Sequence, residues 1–337
     1  MCNIWLSFSF LIFFSVIAKL SLVCAENSIT TATSSSSTAE HSQRTILDQQ
    51  QRQPFKRLLL LRHGQATHNP RAEKAREKGC SYEEFLDWIR QDDEYDAPLT
   101  TLGEQQAQSV HAKYAKVDQN PFRGVDLVVS SPLSRALQTA DLALPPHTST
   151  NTDENNARRI CLEPFREING SFLNAKRRPK SELQKKFRHW DFDLITEEDE
   201  TWTASLESQT DCAERGYQGL LVLTKRTEEK MLVVSHGGIL RFSMNQHENI
   251  RVLDGRDIGE REKGEVEECK EQLMRDIKER FGNCELREYI MNWSFPQEEK
   301  GDTSKSENGH PADVTSANVV SSDRPIITLT EVTRGSM

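Results

Sequence analysis

The chain has 337 residues, enough for one large domain or two small ones, and its aromatic content of 7% is low beside a charged content of 28%. A folded core is therefore expected over only part of the length. The formal net charge of −9 argues against a general nucleic-acid or membrane-surface binder, so any attraction for an anion must be local.

The amino terminus carries an apolar segment, residues 4–25, which Lys19 interrupts. A membrane span needs roughly 20 continuous apolar residues, and Val23-Cys24-Ala25 is typical of a signal-peptide cleavage site. We therefore predict a signal peptide over residues 1–25 and a protein of the secretory pathway or the extracellular space. The alternative is an uncleaved anchor over residues 4–25 that holds a cytosolic domain at the membrane.

Composition divides the rest of the chain into three parts. Residues 26–53 are rich in Ser, Thr and Gln and are predicted to be a disordered linker, because they offer little apolar surface to bury. Apolar periodicity persists over 54–295, the predicted folded domain. Residues 296–337 are predicted to be a polar, disordered tail, most clearly over 297–323. Of seven cysteines, five lie outside the leader; they show no zinc-site spacing, and no disulfide can be assigned.

Within the domain, three short apolar runs alternate with helical patterns. The run Leu58–Leu61 is too short for a helix and suits a strand that is buried on both faces. The predicted elements that follow are an amphipathic helix over Ser81–Tyr95, a helix from Thr100 or Thr101, a strand over Val125–Ser130, a helix through Arg135, a helix over Glu214–Arg226 and a strand over Met231–Val234. This alternation predicts an α/β fold of three layers, α/β/α, with a mostly parallel central sheet.

Polar clusters follow the three predicted strands. The first strand ends in Arg62-His63-Gly64, the second leads into Arg135 one helical turn later, and the third ends in His236-Gly237-Gly238. Because ligands bind at the carboxyl ends of parallel strands, these side chains are expected to meet at one edge of the sheet. Two arginines and two helix N-termini there predict an anion site that suits a phosphoryl group.

These clusters carry a resemblance to a known family. The segments Leu60–Gly64, Ser131–Ala140 and Val234–Gly238 together resemble the histidine phosphatase superfamily, also called the phosphoglycerate mutase-like fold, and Pro98–Ala107 matches a further structural signature of it. The segments Lys176–Arg178, Trp190–Leu194 and Phe281–Arg287 resemble the plant and fungal branch of phosphoglycerate mutase-like proteins. The resemblance covers residues 55–295.

The resemblance implies a role for each matched residue. His63 corresponds to the nucleophile that becomes a phosphohistidine, and a neutral imidazole is suited to that attack. Arg62, Arg135 and His236 correspond to the residues that bind the phosphate oxygens, and Asn69 falls where the family often has a pocket-lining Asn. These cations do the work of a metal, so no metal or cofactor is expected.

The family also uses a carboxylic acid to protonate the leaving oxygen and then to activate water. Glu167, in the segment Pro164–Gly170, matches it best, and Glu163 lies close enough in sequence to be the alternative. The basic segment Lys176–His189 follows; it is either a cap that attracts polyanionic substrates or a solvated helix face.

The predicted function is therefore a metal-independent phosphatase that hydrolyses a small phosphate monoester through a phosphohistidine. A phosphoglycerate mutase has the same core, but the chain lacks that family's Cys-Tyr-Gly-x-Leu-x-Gly-Leu type of segment. The remaining alternative is a catalytically inactive phosphate-binding module. Two N-glycosylation acceptor sequences, Asn169-Gly-Ser171 and Asn292-Trp-Ser294, bear on the predicted secretory route. The sequence predicts neither the substrate nor the oligomeric state.

Overall fold

A computed structural model describes residues 54–115, 120–146, 157–254, 280–296 and 324–335. All of these residues belong to Gln53–Met337, the second of two compact units in the chain. The predicted leader and linker, residues 1–53, lie outside the described residues. Within the described ranges, no helix is long and apolar enough to cross a membrane.

One sheet contains seven strands, and helices flank it. The strands are β1 (Phe55–Arg62), β2 (Leu127–Ser130), β3 (Arg158–Cys161), β4 (Lys230–Ser235), β5 (Ile250–Asp254), β6 (Leu286–Ser294) and β7 (Ile326–Gly335). The α-helices of the described part are α1 (Pro70–Glu77), α2 (Tyr82–Gln91), α3 (Thr101–Ala115), α4 (Ser134–Ala143), α5 (Lys180–Lys186), α6 (Gln209–Thr224) and α7 (Gly237–Gln246).

The strand order is β3-β2-β4-β1-β6-β7-β5. β6 is antiparallel to both β1 and β7, whereas every other neighbouring pair is parallel. The sheet is therefore mixed, with six of its strands pointing the same way. This confirms the predicted α/β fold with a mostly parallel sheet.

The apolar run of β1 packs helices onto both faces of the sheet. Leu59 and Leu61 belong to a core cluster with Leu137 of α4, whereas Leu58 belongs to a second cluster with Leu220 of α6. Each of these leucines is at most 4% exposed. Successive strand residues point to opposite faces, so one uninterrupted apolar run builds both interfaces and gives the three-layer arrangement.

The carboxyl ends of three parallel strands lie at the same edge of the sheet. Arg62 of β1 is paired in register with Ser235 of β4, and Ser130 of β2 is paired with Val234. The residues that follow these strands are therefore neighbours, as the sequence predicted.

The predicted tail over 296–337 is wrong at its far end, because Ile326–Gly335 forms β7 between β5 and β6. Ile327 and Leu329 are fully buried, and Thr328 alternates with them. This period of two is a strand signal. Residues 297–323 of the predicted tail lie outside the described residues.

Candidate active site

His63 lies buried immediately after β1, and two backbone contacts fix its position. Its backbone N–H donates to Ser235 O at 3.0 Å, and its ring Nδ1 lies 2.6 Å from Gly64 O. A carbonyl oxygen only accepts hydrogen bonds, so Nδ1 carries the ring proton and Nε2 keeps its lone pair. Burial lowers the pKa of His63 well below its usual value, and the guanidinium groups of Arg135 and Arg62 add to that effect. The ring is therefore a neutral imidazole with Nε2 available.

Gly64 allows the turn after β1 to approach α3 closely. A β-carbon at this position would lie 2.5 Å from the carbonyl oxygen of Gly103, so any larger residue would push the two segments apart. The Gly64 N–H donates to Thr139 Oγ1 of α4 at 3.0 Å. Packing against both helices holds the loop that carries His63.

His236 follows β4 and immediately precedes α7. Its Nε2 is 2.8 Å from Ser131 Oγ, and its Nδ1 is buried without a hydrogen-bond partner in the described part of the chain. Ser131 Oγ accepts from Leu133 N–H at 3.3 Å and can donate its own proton to Nε2. The proton of the neutral ring then lies on Nδ1. Burial lowers the pKa of His236 well below its usual value, with Arg135 and His63 as the next contributors.

Arg62 and Arg135 are both buried, and each is only partly engaged. Arg62 donates to Glu73 Oε1 at 2.6 Å and to Phe281 O at 2.9 Å, which leaves its Nε without a partner among the described residues. Arg135 donates through Nη1 to Asn174 O at 2.7 Å, and its Nε and Nη2 have no such partner. Burial lowers the pKa of Arg135 to about 10, so it is still protonated at neutral pH. Two buried cations therefore keep unpaired donors.

Glu167 lies at the N-terminus of α7. Its Oε1 accepts from Ile168 N–H at 2.9 Å, and its two carboxylate oxygens accept from the N–H groups of Gly238 and Ile239 at 3.2 Å each. A β-carbon at Gly238 would lie 2.1 Å from Glu167 Oε1, so a larger residue there would displace the carboxylate. The N-terminus of α7 thus holds the Glu167 carboxylate through backbone groups that lie two and three residues after His236 in the sequence.

Glu163 is engaged elsewhere. Its carboxylate pairs with Arg166 at 3.1 Å and with Arg177, whose side chain is fully buried. Glu163 does not line the cavity described below, whereas Glu167 does.

Asn69 lines the cavity, but its amide is engaged within the chain. Its Oδ1 accepts from Ala66 N–H at 3.0 Å, so its Nδ2 faces His68 Nε2, also at 3.0 Å. The Nδ2 group can only donate, so the proton of neutral His68 lies on Nδ1, which is buried without a partner in the described part. Burial lowers the pKa of His68 well below its usual value. His68 is a site residue that the sequence analysis missed; its place directly before Asn69 was the available signal.

A cavity of about 240 Å³ borders Arg62, His63, His68, Asn69 and Glu167, whereas Arg135 and His236 are not among its lining residues. Arg62, His63 and Glu167 line it together with residues 76–89 of α1, α2 and the turn between them. The wall from α1 and α2 was not foreseen, and it brings a further cation, Arg76, whose buried Nη1 has no partner among the described residues. The basic segment Lys176–His189, for which the sequence left a cap and a solvated helix face open, does not line the cavity.

The arrangement suits an anion with several oxygen atoms. The unpartnered donors of Arg62, Arg135, His68 and His236 are buried, and buried donors are normally paired. Beside them, His63 offers a lone pair to an electrophile. Among the described residues, no group of three or more His, Cys, Asp and Glu side chains could hold a metal ion.

The chain is similar to known proteins over about 70% of its length. Residues 58–266, which include all of the predicted site residues, match the histidine phosphatase superfamily (branch 1). Phosphoglycerate mutase-like protein 1 of Arabidopsis thaliana is 30% identical over 258 residues, covering 70% of this chain and 81% of that protein. Phosphoglycerate mutase-like protein 2 of the same plant is 27% identical over 283 residues, covering 70% of this chain and 74% of that protein. A solved phosphoserine phosphatase from Entamoeba histolytica, in complex with 3-phosphoglyceric acid, is 20% identical with a TM-score of 0.34, over 69% of this chain and 90% of that chain.

Proposed function

The chain belongs to the histidine phosphatase superfamily, and on that premise we propose that it hydrolyses a phosphate monoester through a phosphohistidine formed on His63. The observation that carries the proposal is the set of buried, unpartnered donors on Arg62, Arg135 and His236 beside the free Nε2 of His63. A phosphoryl group has the charge and the oxygen atoms to satisfy such donors.

In the first step, His63 Nε2 attacks phosphorus. A nitrogen–phosphorus bond forms as the bond from phosphorus to the ester oxygen breaks, and protonated Glu167 gives its proton to that oxygen, so an alcohol leaves. Arg62 and Arg135 stabilise the charge on the equatorial oxygens throughout. His236 donates from Nδ1 to one of these oxygens.

In the second step, water attacks the phosphohistidine. Glu167, now a carboxylate, takes a proton from the water while the new oxygen–phosphorus bond forms and the nitrogen–phosphorus bond breaks. Inorganic phosphate leaves, and neutral His63 and protonated Glu167 are regenerated. Splitting one displacement into two easier ones is the gain from nucleophilic catalysis.

The proposal is tested by phosphate release from p-nitrophenyl phosphate by the full chain in the presence of EDTA. We expect turnover by the wild type, loss of turnover in Arg135→Gln, and wild-type turnover in His111→Gln, a control at an exposed position of α3. No turnover of any monoester would favour the inactive phosphate-binding module. Interconversion of phosphoglycerates without phosphate release would favour the mutase.

A further inference from the structure

The cavity continues beyond the groups that would bind a phosphoryl group, and its continuation combines apolar side chains with three arginines, Arg76, Arg241 and Arg280. Two small apolar clusters, separate from the two large core clusters, contribute to its lining. Phe85, Leu86 and Ile89 come from the first cluster, and Ile168 and Phe242 come from the second.

These apolar side chains come from elements that do not build the main core. α2 begins at a capping box formed by Ser81 and Glu84, which fixes where the helix starts and therefore which of its residues face inward. Its inward face carries Phe85 and Ile89, which are 8% and 6% exposed. On the other element, Phe242 of α7 lies about one turn after Gly238, whose N–H donates to Glu167. The apolar lining is thus joined directly to the catalytic carboxylate.

Three of the neutral polar side chains in the lining are engaged within the chain. Asn174 donates to Asp93 at 2.7 Å, Asn69 bonds with Ala66 and His68, and Ser81 Oγ accepts from Glu84 N–H at 3.2 Å as the cap of α2. A site that selects a hydroxyl-rich leaving group needs polar groups reserved for those hydroxyls. Among its neutral side chains this lining offers mainly the hydroxyl of Tyr82, and its arginines suit negatively charged groups rather than hydroxyls.

The cavity is also larger than a phosphoryl group requires. On this measure of volume a water-sized oxygen takes about 10–15 Å³, so three phosphoryl oxygens take about 30–45 Å³. More than half of the cavity's 240 Å³ remains for the leaving group.

We infer that the leaving group is a bulky apolar alcohol, held between α2 and α7 by Leu86, Phe85 and Phe242. The inference rests on the proposed phosphatase function and narrows its substrate class to monoesters of apolar alcohols. A small acid such as phosphoglycerate would engage the arginines of the lining but would leave its apolar side chains exposed to water.

A series of n-alkyl phosphates, from ethyl to octyl, tests the inference with the full chain. The leaving alcohols have nearly the same acidity, so differences in kcat/KM report contacts with the alkyl chain rather than the chemistry of the broken bond. We expect kcat/KM to rise about fourfold for each methylene buried, until the cavity is filled. 3-Phosphoglycerate should be no better than ethyl phosphate.

Two leucine variants locate the effect. Leu86→Asn places an amide among the apolar side chains of the lining. Its kcat/KM should fall most for octyl phosphate and least for ethyl phosphate. Leu194→Asn makes the same change at a residue that is 57% exposed and lies outside the lining. In this variant kcat/KM should depend on the length of the alkyl chain as it does in the wild type.

The outcomes separate the inference from the function on which it rests. Turnover that does not vary with chain length, or a preference for 3-phosphoglycerate, would overturn the apolar leaving group and leave the phosphatase intact. No turnover of any ester would overturn both. The wild-type series decides the matter even where a variant fails to fold.

Discussion

The imidazole rings of His63 and His236 lie 4.9 Å apart, centroid to centroid, and are tilted by 58°. Both rings are buried, and both have a pKa well below the usual value. Two protonated rings at this distance, beside Arg62 and Arg135, would repel each other strongly in a medium of low dielectric constant. The pair therefore persists as two neutral rings, one with a lone pair for attack and one with an N–H to donate.

Acid should destabilise the protein through its buried histidines. His63, His68 and His236 have lowered pKa values in the folded chain, whereas each should titrate near 6.5 when unfolded. Below pH 6.5 the unfolded chain binds more protons, so the free energy of unfolding falls as the pH falls, by about 1.4 kcal/mol per pH unit for each histidine.

Urea unfolding between pH 7.5 and 5 measures this slope. His68→Asn should reduce this slope by up to about 1.4 kcal/mol per pH unit, the contribution of one proton. His111→Asn, at an exposed position, should not change the slope. A free energy of unfolding that stays constant or rises on acidification would contradict the neutral, buried state of the three rings.

Glu167 rather than Glu163 should act as the acid, because Glu167 lines the cavity and Glu163 pairs with Arg166 and Arg177. Glu167→Gln should slow ethyl phosphate by about 10²–10⁴-fold and p-nitrophenyl phosphate far less, since a phenolate needs little protonation. Glu163→Gln is the matched control: it should lower the unfolding midpoint and leave the ratio of the two rates unchanged. Equal losses on both substrates in Glu167→Gln would argue against the role.

Much of the site was predictable because its residues follow strands directly. A short apolar run that ends in Arg62-His63-Gly64 specifies both the strand and its functional end, and parallel pairing then brings His236 to the same edge. The apolar wall was less predictable. The helix pattern indicated that Phe85 and Ile89 share a face, but periodicity does not say which cavity a face borders. For His68 the only signal was its place directly before Asn69, since its role depends on which of its nitrogens Asn69 contacts.

β7 escaped prediction because a long polar stretch separates it from the rest of the domain. Ending the chain after Pro296 should remove the partner of both β5 and β6, together with buried Ile327 and Leu329. Each such side chain contributes about 1.5–3 kcal/mol when buried, out of a typical total of about 5–15 kcal/mol. We expect a large drop in the urea midpoint or insoluble protein. A chain that shortens 297–323 but keeps 324–337 is the control, and an unchanged midpoint after truncation at Pro296 would refute the contribution of β7.

The two glycosylation sequences should behave differently in a chain that enters the secretory pathway, as the leader predicts. Asn169 is 8% exposed, donates to Thr201 O at 2.6 Å and accepts from Arg166 at 3.2 Å, so its amide is not free for a glycan. Asn292 of β6 is half-buried and has a more open side chain. We expect endoglycosidase treatment to increase the electrophoretic mobility of the chain by the amount of a single glycan. The Asn292→Gln variant should show no such shift. No shift in the wild-type chain, with residues 1–25 retained, would instead indicate an anchored cytosolic domain.

The most direct test is to trap the phosphorylated enzyme. The full chain is mixed with p-nitrophenyl phosphate that carries a radiolabelled phosphoryl group, quenched within milliseconds and digested. We expect acid-labile, base-stable label on the peptide that contains His63. His63→Ala should carry none and should lose at least about 10³-fold in kcat, as expected for removal of a nucleophile, while His111→Ala should be labelled like the wild type. Label on a serine or cysteine, or full turnover by His63→Ala, would contradict the phosphohistidine.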